Sequence, residues 1–227
     1  MSEAVAHHAD HGDRHPALAH HFEGLPEQKE AAGLGMWLFL SQEVMFFGGL
    51  FAVYTIYRNL YPGAFALGAE HLNWKLGALN TAVLIGSSLT MAMAVHSAAV
   101  GHRRQIVTYL LLTVALGSVF LGVKVVEYAE KFHHHLVPGP HFQFEGPLAR
   151  PAQIYFSLYF AMTGLHALHM IIGIPILLTL AVLAHRGHYG PDYHAPVEMT
   201  GLYWHFVDIV WIFLFPLLYL IPMHAPH

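Results

Sequence analysis

Residues 152–184, AQIYFSLYFAMTGLHALHMIIGIPILLTLAVLA, decide the fold class of this chain. The stretch contains no Asp, Glu, Lys or Arg, and about 20 apolar residues in a helix suffice to cross the hydrocarbon core of a bilayer. Every backbone amide inside a bilayer needs a partner within the protein, and a helix provides that partner. The stretch therefore predicts a membrane-spanning helix, kinked at its internal Pro175.

Four further apolar stretches of suitable length predict four further spans. They cover about residues 35–57, 76–99, 106–128 and 199–222. Small residues on the second span, Ser87 and Ser88 among them, indicate contacts with other helices. The predicted fold class is all-α, an integral membrane bundle of five transmembrane helices that occupies residues 34–224.

The composition excludes several classes of protein. Hydrophobic residues make up 56% of the 227 residues and charged residues 11%, whereas a soluble domain has about 25% charged residues. A net charge of −4 gives no basic surface for nucleic acid. Because cysteine is absent, iron–sulfur clusters and thiolate-bound metals are excluded. Histidine and carboxylate side chains remain as the strong metal ligands available.

Residues 1–33 are predicted to form a polar, His-rich tail. It lacks the basic and apolar segments of a secretory signal peptide, and both a disordered tail and a metal-binding tract stay open. Five spans place the two termini on opposite sides of the membrane. The two shortest loops hold Arg103, Arg104 and Arg186, so the positive-inside rule favours a cytoplasmic amino terminus. The predicted location is a bacterial inner membrane.

Glu43 is the most unusual residue within a span. Its neighbours three and four positions away are all apolar: Phe39, Leu40, Phe46 and Phe47. Ionisable groups in the hydrocarbon core are costly and usually face protein or water. Glu43 is therefore predicted either to hold and relay a proton or to join helices as a neutral, hydrogen-bonded acid.

Four other polar residues are predicted to form one cluster with Glu43. His166 and His169 share a face of the fourth span, and His205 and Asp208 share a face of the fifth, where they are spaced to pair with each other. Both a structural and a proton-carrying role stay open for them. A separate interfacial network is predicted at the end of the third span, with Lys124–Glu127 and Glu127–Lys131 pairs and snorkelling stems. Its members are Lys124, Glu127, Glu130 and Lys131.

Two other functions fit a helical bundle with internal histidines. A haem-binding cytochrome needs two histidines at matched depth on facing helices, but His166 and His169 share one helix and His205 lies ~12 Å nearer the surface. A small proton-coupled transporter would have polar groups at several depths or a helix broken at the midplane. Only Pro175 suggests such a break.

Five motifs, one in each span, make the chain similar to subunit III of the haem–copper cytochrome oxidases. The segment around Glu43 resembles the family's Ser-Glu-x-x-x-Phe, with Gln42 in the place of Ser, and the last motif resembles Trp-His-Phe-x-Asp-x-Val-Trp. The five motifs are QEVMFF (42–47), LNT (79–81), EY (127–128), TGLHALH (163–169) and YWHFVDIVW (203–211). They occur in family order across about residues 35–222.

The resemblance implies a subunit without a redox centre in a proton-pumping oxidase that reduces oxygen to water. Haem and copper are expected in partner subunits. Subunit I is the expected direct neighbour, with subunit II nearby, and the subunit is expected to support assembly, phospholipid binding and proton uptake. Glu43 matches the family's buried glutamate, and Arg186 is a candidate partner for a lipid phosphate.

The resemblance also leaves alternatives. Longer family members have seven helices and this chain resembles the last five, so a small subunit or lipid is expected to fill the remaining space. The alternative parent complex is a quinol oxidase or a complex that resembles a nitric oxide reductase.

Overall fold

The computed structural model describes residues 18–140, 142–144 and 147–221. The first 17 residues of the predicted tail therefore lie outside the described residues. Within the described part the only β pairing is an isolated bridge between Gly190 and Tyr193. The helices are α1 (Leu25–Leu60), α2 (Pro62–Glu70), α3 (Trp74–Val100), α4 (Arg103–His133), α5 (Ala149–His185) and α6 (Ala195–Tyr219).

Five of these helices are long and apolar enough to cross a membrane: α1, α3, α4, α5 and α6. The predicted all-α class and the five membrane spans are confirmed. We call the end of the bundle where α1, α4 and α6 begin the amino-terminal side, and the other end the far side.

The helix ends differ from the predicted spans. α1 begins at Leu25, inside the predicted tail, with Pro26 and Glu27 in its first turn, where both residue types favour a helix start. Hydropathy detects only the apolar part of a helix and misses its polar extension. The short helix α2 was predicted as a loop; Pro62 opens it because proline is tolerated in a first helical turn. α5 runs through Pro175 as one helix.

α6 lies against the other spanning helices, and its Trp204 explains how closely they approach. A Cβ atom placed on Gly117 of α4 or Gly173 of α5 would lie 2.9 Å from the Trp204 ring. The fully buried indole therefore fits between α4 and α5 only because each helix has a glycine there, with a hydrogen atom in the place of a side chain. Such close approach at small residues is a main source of helix association in lipid.

Two tyrosine hydroxyl groups donate hydrogen bonds to backbone carbonyl groups at the far-side end of α6. The last carbonyl groups of a helix have no partner within the helix. The Tyr54 hydroxyl of α1 donates to the Leu217 carbonyl oxygen, and the Tyr155 hydroxyl of α5 donates to that of Leu218 at 2.9 Å. The far side is thus closed by buried hydrogen bonds between three helices.

Candidate functional site

Glu43 of α1 faces His169 of α5. Glu43 is only 8% exposed, and its Oε2 atom lies 3.3 Å from His169 Nε2. The contact does not meet hydrogen-bond geometry, so Oε2 is a buried atom without a hydrogen bond among the described residues. The imidazole also packs beside the Phe47 ring, with 5.6 Å between centroids. The carboxyl group is held next to a base but is not saturated by partners.

A backbone contact fixes the tautomer of His169. Its Nδ1 atom lies 2.9 Å from the Leu165 carbonyl oxygen, and a carbonyl oxygen can only accept. Nδ1 must therefore carry a hydrogen and donate it. In the neutral ring Nε2 then carries a lone pair on the side that faces Glu43.

The Glu43–His169 pair lines a cavity of about 480 Å³. Phe39 and Tyr203 form part of its apolar wall. A second cavity, of about 690 Å³, lies toward the amino-terminal side. Both cavities are lined by Met36, Ile176 and Thr200, so they adjoin. Together they lead from the amino-terminal side to the carboxyl group of Glu43.

The mouth of this passage carries ionisable groups. Lys29 Nζ lies 2.8 Å from Glu198 Oε2, with the side chains 47% and 35% exposed. His194 Nε2 lies 3.9 Å from the same oxygen. All three residues line the larger cavity or contact a residue that does. The two adjoining cavities therefore extend from partly exposed ionisable groups to a buried acid.

His205 and Asp208 do not join this site, because both face α3. His205 Nδ1 lies 2.7 Å from the Ser88 hydroxyl, and the Ser87 hydroxyl lies 3.4 Å from Asp208 Oδ2. The predicted pairing of His205 with Asp208 is therefore wrong. The serines on α3 offer each side chain a partner on a neighbouring helix, which the spacing within α6 could not reveal.

His166 lies apart from both the Glu43–His169 pair and the residues that face α3. Its ring is fully buried between Phe120 and Trp211, with 5.2 Å to each ring centroid. Neither ring nitrogen has a hydrogen bond among the described residues. The five residues predicted to form one polar cluster thus divide into three groups, of which only Glu43 and His169 are brought together.

Asn80 is a buried polar residue of the LNT motif (79–81) that was not among the predicted site residues. Its side chain is fully buried, and neither amide atom has a hydrogen bond among the described residues. Its position in the Leu-Asn-Thr segment of a span was the available signal, because polar side chains within spans usually face protein.

Lys124 and Glu127 lie inside the protein. Lys124 Nζ lies 2.9 Å from Glu127 Oε2 and donates to the hydroxyl groups of Tyr159 and Tyr219, each at 3.0 Å. Tyr219 in turn donates to Glu127 Oε1 at 2.6 Å. The ammonium group also lies within 6 Å of four ring centroids, at 5.0 to 5.8 Å. The rings belong to Tyr128, Tyr159, Trp211 and Tyr219.

The predicted interfacial network therefore needs correction. Lys124 does not snorkel to the membrane surface, because its stem leads into an aromatic cage where every ammonium hydrogen has a partner. Lys131 is also buried and lies 3.6 Å from the half-exposed Glu130, whereas Glu127 was its predicted partner. We call Lys124, Glu127, Tyr159 and Tyr219 the lysine cage.

The remaining predicted features lie outside these groups. Arg186 is exposed and caps the end of α5, and its role at a lipid phosphate stays a prediction. No three His, Asp or Glu side chains converge on one point within the described residues. The predicted lack of metal and haem in this chain likewise stays a prediction.

Comparison with known proteins identifies the family. A family model described as cytochrome c oxidase subunit III matches residues 19–222. The cytochrome c oxidase subunit 3 of Papio hamadryas is 35% identical over 193 residues, which cover 82% of this chain and 67% of that protein. The proteins of the same name from Loxodonta africana and Danio rerio are 34% and 33% identical, each over 86% of this chain and 71% of the relative. The chain therefore belongs to the cytochrome c oxidase subunit III family.

Proposed function

We propose that this chain supports proton uptake, assembly and phospholipid binding in a proton-pumping terminal oxidase that reduces oxygen to water. Haem and copper lie in partner subunits, and this chain carries no redox centre. Subunit I is its direct neighbour, with subunit II and a small subunit as further partners. The amino-terminal side faces the cytoplasm of a bacterium. Since the relatives are named cytochrome c oxidase subunits, cytochrome c is the proposed electron donor of the complex.

The observation that carries this proposal is the placement of Glu43 beside His169 at the end of the two adjoining cavities. A carboxyl group and an imidazole that lie side by side with unused hydrogen-bonding capacity can take up a proton from water and release it again. Relay groups need such spare capacity, and Glu43 has it because Oε2 lacks a hydrogen bond among the described residues.

Protons move along this route in three steps. Two partly exposed groups at the mouth, Glu198 and His194, take up protons from the cytoplasm, and Lys29 is the ion-pair partner of Glu198. Water in the cavities passes them to Glu43. The Glu43–His169 pair then holds a proton until the neighbouring subunit I takes it up, which keeps proton supply from limiting turnover.

Phospholipid binding has separate support on the amino-terminal side. Arg103 and Arg104 begin α4 and line a cavity of about 510 Å³ together with His185. Guanidinium groups match the geometry of phosphate oxygens, and anionic headgroups lie at the ends of membrane spans. These residues, together with Arg186, are the proposed contacts for lipid phosphate.

The test is the substitution Glu43→Gln in the assembled oxidase. The amide keeps the size of the side chain but cannot release a proton. We expect normal assembly and an unchanged haem spectrum, with slower proton uptake or a shortened lifetime during turnover. Glu30→Gln is the matched control, because Glu30 is an exposed acid on the same helix. If Glu43→Gln leaves uptake and lifetime unchanged across pH, the proposed relay is refuted and Glu43 has only a structural role.

A further inference from the structure

Residues 25–32 form the first two turns of α1 and lie outside the core of the bundle. Residues 25–39 of this helix are all described by the structure, and the first buried residue of α1 is Leu40. Five side chains of the first two turns line the larger of the two adjoining cavities: Leu25, Pro26, Gln28, Lys29 and Ala32. The opposite wall belongs to α5, α6 and the loop between them. These turns are therefore one wall of the cavity mouth.

A weak contact ties these two turns to α6. Lys29 Nζ lies 2.8 Å from Glu198 Oε2, but both side chains are partly exposed. The Oε2 atom has no hydrogen bond among the described residues, so the attraction at this oxygen is one of charge alone. Exposed pairs of this kind are screened by solvent and contribute little to stability. The contact can therefore break while the rest of the bundle stays folded.

Two glycines lie where these turns join the rest of α1. A Cβ atom placed on Gly33 or Gly35 would meet no atom within 4 Å, so close packing within the chain does not require glycine at either position. Glycine weakens a helix relative to alanine because it gives the backbone more freedom, and helices bend at such weak points. Backbone freedom is therefore what the two glycines contribute here.

The position of Gly33 and Gly35 distinguishes them from Gly48 and Gly49 of the same helix. A Cβ atom on either of the latter also meets no atom within 4 Å, but both lie inside the apolar stretch 35–57. Backbone amides within the hydrocarbon core must keep their helical hydrogen bonds, so the helix does not open there. At the edge of the stretch water can replace a broken backbone hydrogen bond, and the helix can bend.

We propose that residues 25–32 are a lid over the mouth of the adjoining cavities, hinged at Gly33 and Gly35 and held closed by the Lys29–Glu198 pair. Opening of the lid widens the access of water to the cavities that lead to Glu43. The effect of the lid on proton supply rests on the proposed function, whereas its motion depends only on the hinge and the ion pair.

Thiol alkylation in the intact complex tests the lid. The chain contains no cysteine, so Thr200→Cys, on the α6 wall of both cavities, provides a single reporter in this subunit. The probe is a neutral, water-soluble maleimide with a short polyethylene glycol chain, and mass spectrometry of the subunit gives the alkylation rate. Adding Lys29→Gln removes the ion pair and should speed alkylation about 1.5- to fivefold, the factor that corresponds to a typical exposed pair. Exchange of the two charges, Lys29→Glu with Glu198→Lys, should restore the original rate.

Substitutions at the hinge provide the second measurement with the same reporter. Gly33→Ala with Gly35→Ala stiffens the helix without a clash and should slow alkylation at least about twofold. The matched control, Gly48→Ala with Gly49→Ala, makes the same change deeper in α1 and should leave the rate unchanged. Equal rates in the parent, the ion-pair variant and the hinge variant would overturn the lid, and an equal slowing by the control would overturn the hinge.

Salt and a second reporter keep the test independent of any one variant. A higher salt concentration screens the ion pair, so it should speed alkylation in the parent but not in the Lys29→Gln variant; a parent rate that does not respond to salt contradicts the proposed role of the pair. If Thr200→Cys prevents assembly, Ile176→Cys replaces it, because Ile176 lines both cavities from α5. Adding Glu43→Gln should leave all of these rates unchanged, so the lid and the relay can fail separately.

Discussion

Glu43 and Glu127 are both carboxylic acids buried within membrane-spanning helices, yet their surroundings differ. Glu127 accepts from Lys124 and from Tyr219, and no cavity adjoins it among those described. Glu43 has one imidazole at 3.3 Å and a cavity of about 480 Å³ on its other side. Burial alone therefore does not indicate a functional acid. Of the two acids, Glu43 has the unused hydrogen-bonding capacity and the adjoining cavity on which the proposed relay depends.

The same contrast separates the two halves of the bundle. On the far side the lysine cage and the tyrosine bonds from Tyr54 and Tyr155 close the structure. On the amino-terminal side exposed ion pairs and adjoining cavities leave it open. We expect contacts on the far side to contribute most of the free energy of unfolding. The proposed functional site lies toward the amino-terminal side.

Removing the cation of the lysine cage should have the largest effect. Lys124→Met leaves Glu127 buried without its counter-charge, and breaking a buried ion pair in this way costs about 3–5 kcal/mol. The free energy of unfolding of the purified chain in mixed detergent micelles measures the loss. Lys75→Met, at an exposed position, is the control. The double variant Lys124→Met with Glu127→Gln should recover part of the loss, and a cost no larger than that of the control would contradict the cage.

Removing one hydroxyl from each half should give unequal losses. Tyr219→Phe deletes two bonds to charged groups, from Lys124 and to Glu127. One such bond contributes about 1.5–3 kcal/mol, so the loss should be at least that large. Tyr203→Phe deletes one bond, to the His169 carbonyl oxygen at 2.9 Å, and should cost about 0.5–1.5 kcal/mol. Unfolding of the two variants under identical conditions makes the comparison, and the reverse order would show that the far side is not the more stable half.

Glu43→Gln should leave stability within about 1 kcal/mol of wild type. The amide is of equal size and can donate to the lone pair of His169 Nε2. The free energy of unfolding of this variant is measured in the same assay as that of Lys124→Met, so that the two losses can be compared. A loss above about 3 kcal/mol would mean that Glu43 joins helices as firmly as the lysine cage does.

Breaking the exposed ion pair at the mouth of the cavities should have the smallest effect. Lys29→Ala removes the partner of Glu198, and because the two side chains are 47% and 35% exposed and therefore screened by solvent, the pair is worth about 0.5 kcal/mol or less. Raising the salt concentration should remove even this difference. A salt-independent loss would show that Lys29 is held by more than this pair.

The sequence predicted the spans well because hydrophobic length is a property of the residues alone. It missed the helix ends, since the polar turns that start α1 at Leu25 resemble a tail, and it missed α2, since Pro62 and Gly63 resemble a loop. Residue type and depth identified the ionisable groups. They could not show that α6 turns His205 and Asp208 toward the serines of α3, because that choice depends on helix rotation.

The lysine cage is a second case in which the sequence could not predict contacts between helices. The spacing predicted an ion pair between Lys124 and Glu127. The other two partners of Lys124, Tyr159 and Tyr219, lie on two other helices and are far away in the sequence. Only the packing of α4 against α5 and α6 brings them together. Long-range partners of this kind are the part of a membrane site that local pattern cannot supply.

The indole of Trp204, flanked by Gly117 and Gly173, also constrains how this subunit can change. A methyl group gained at either glycine would meet the ring, and a smaller residue at position 204 would leave an empty space that lipid tails cannot enter. The residue at position 204 therefore limits what can stand at positions 117 and 173. A redesign that adds a side chain at either glycine would have to reduce the residue at position 204 in the same step.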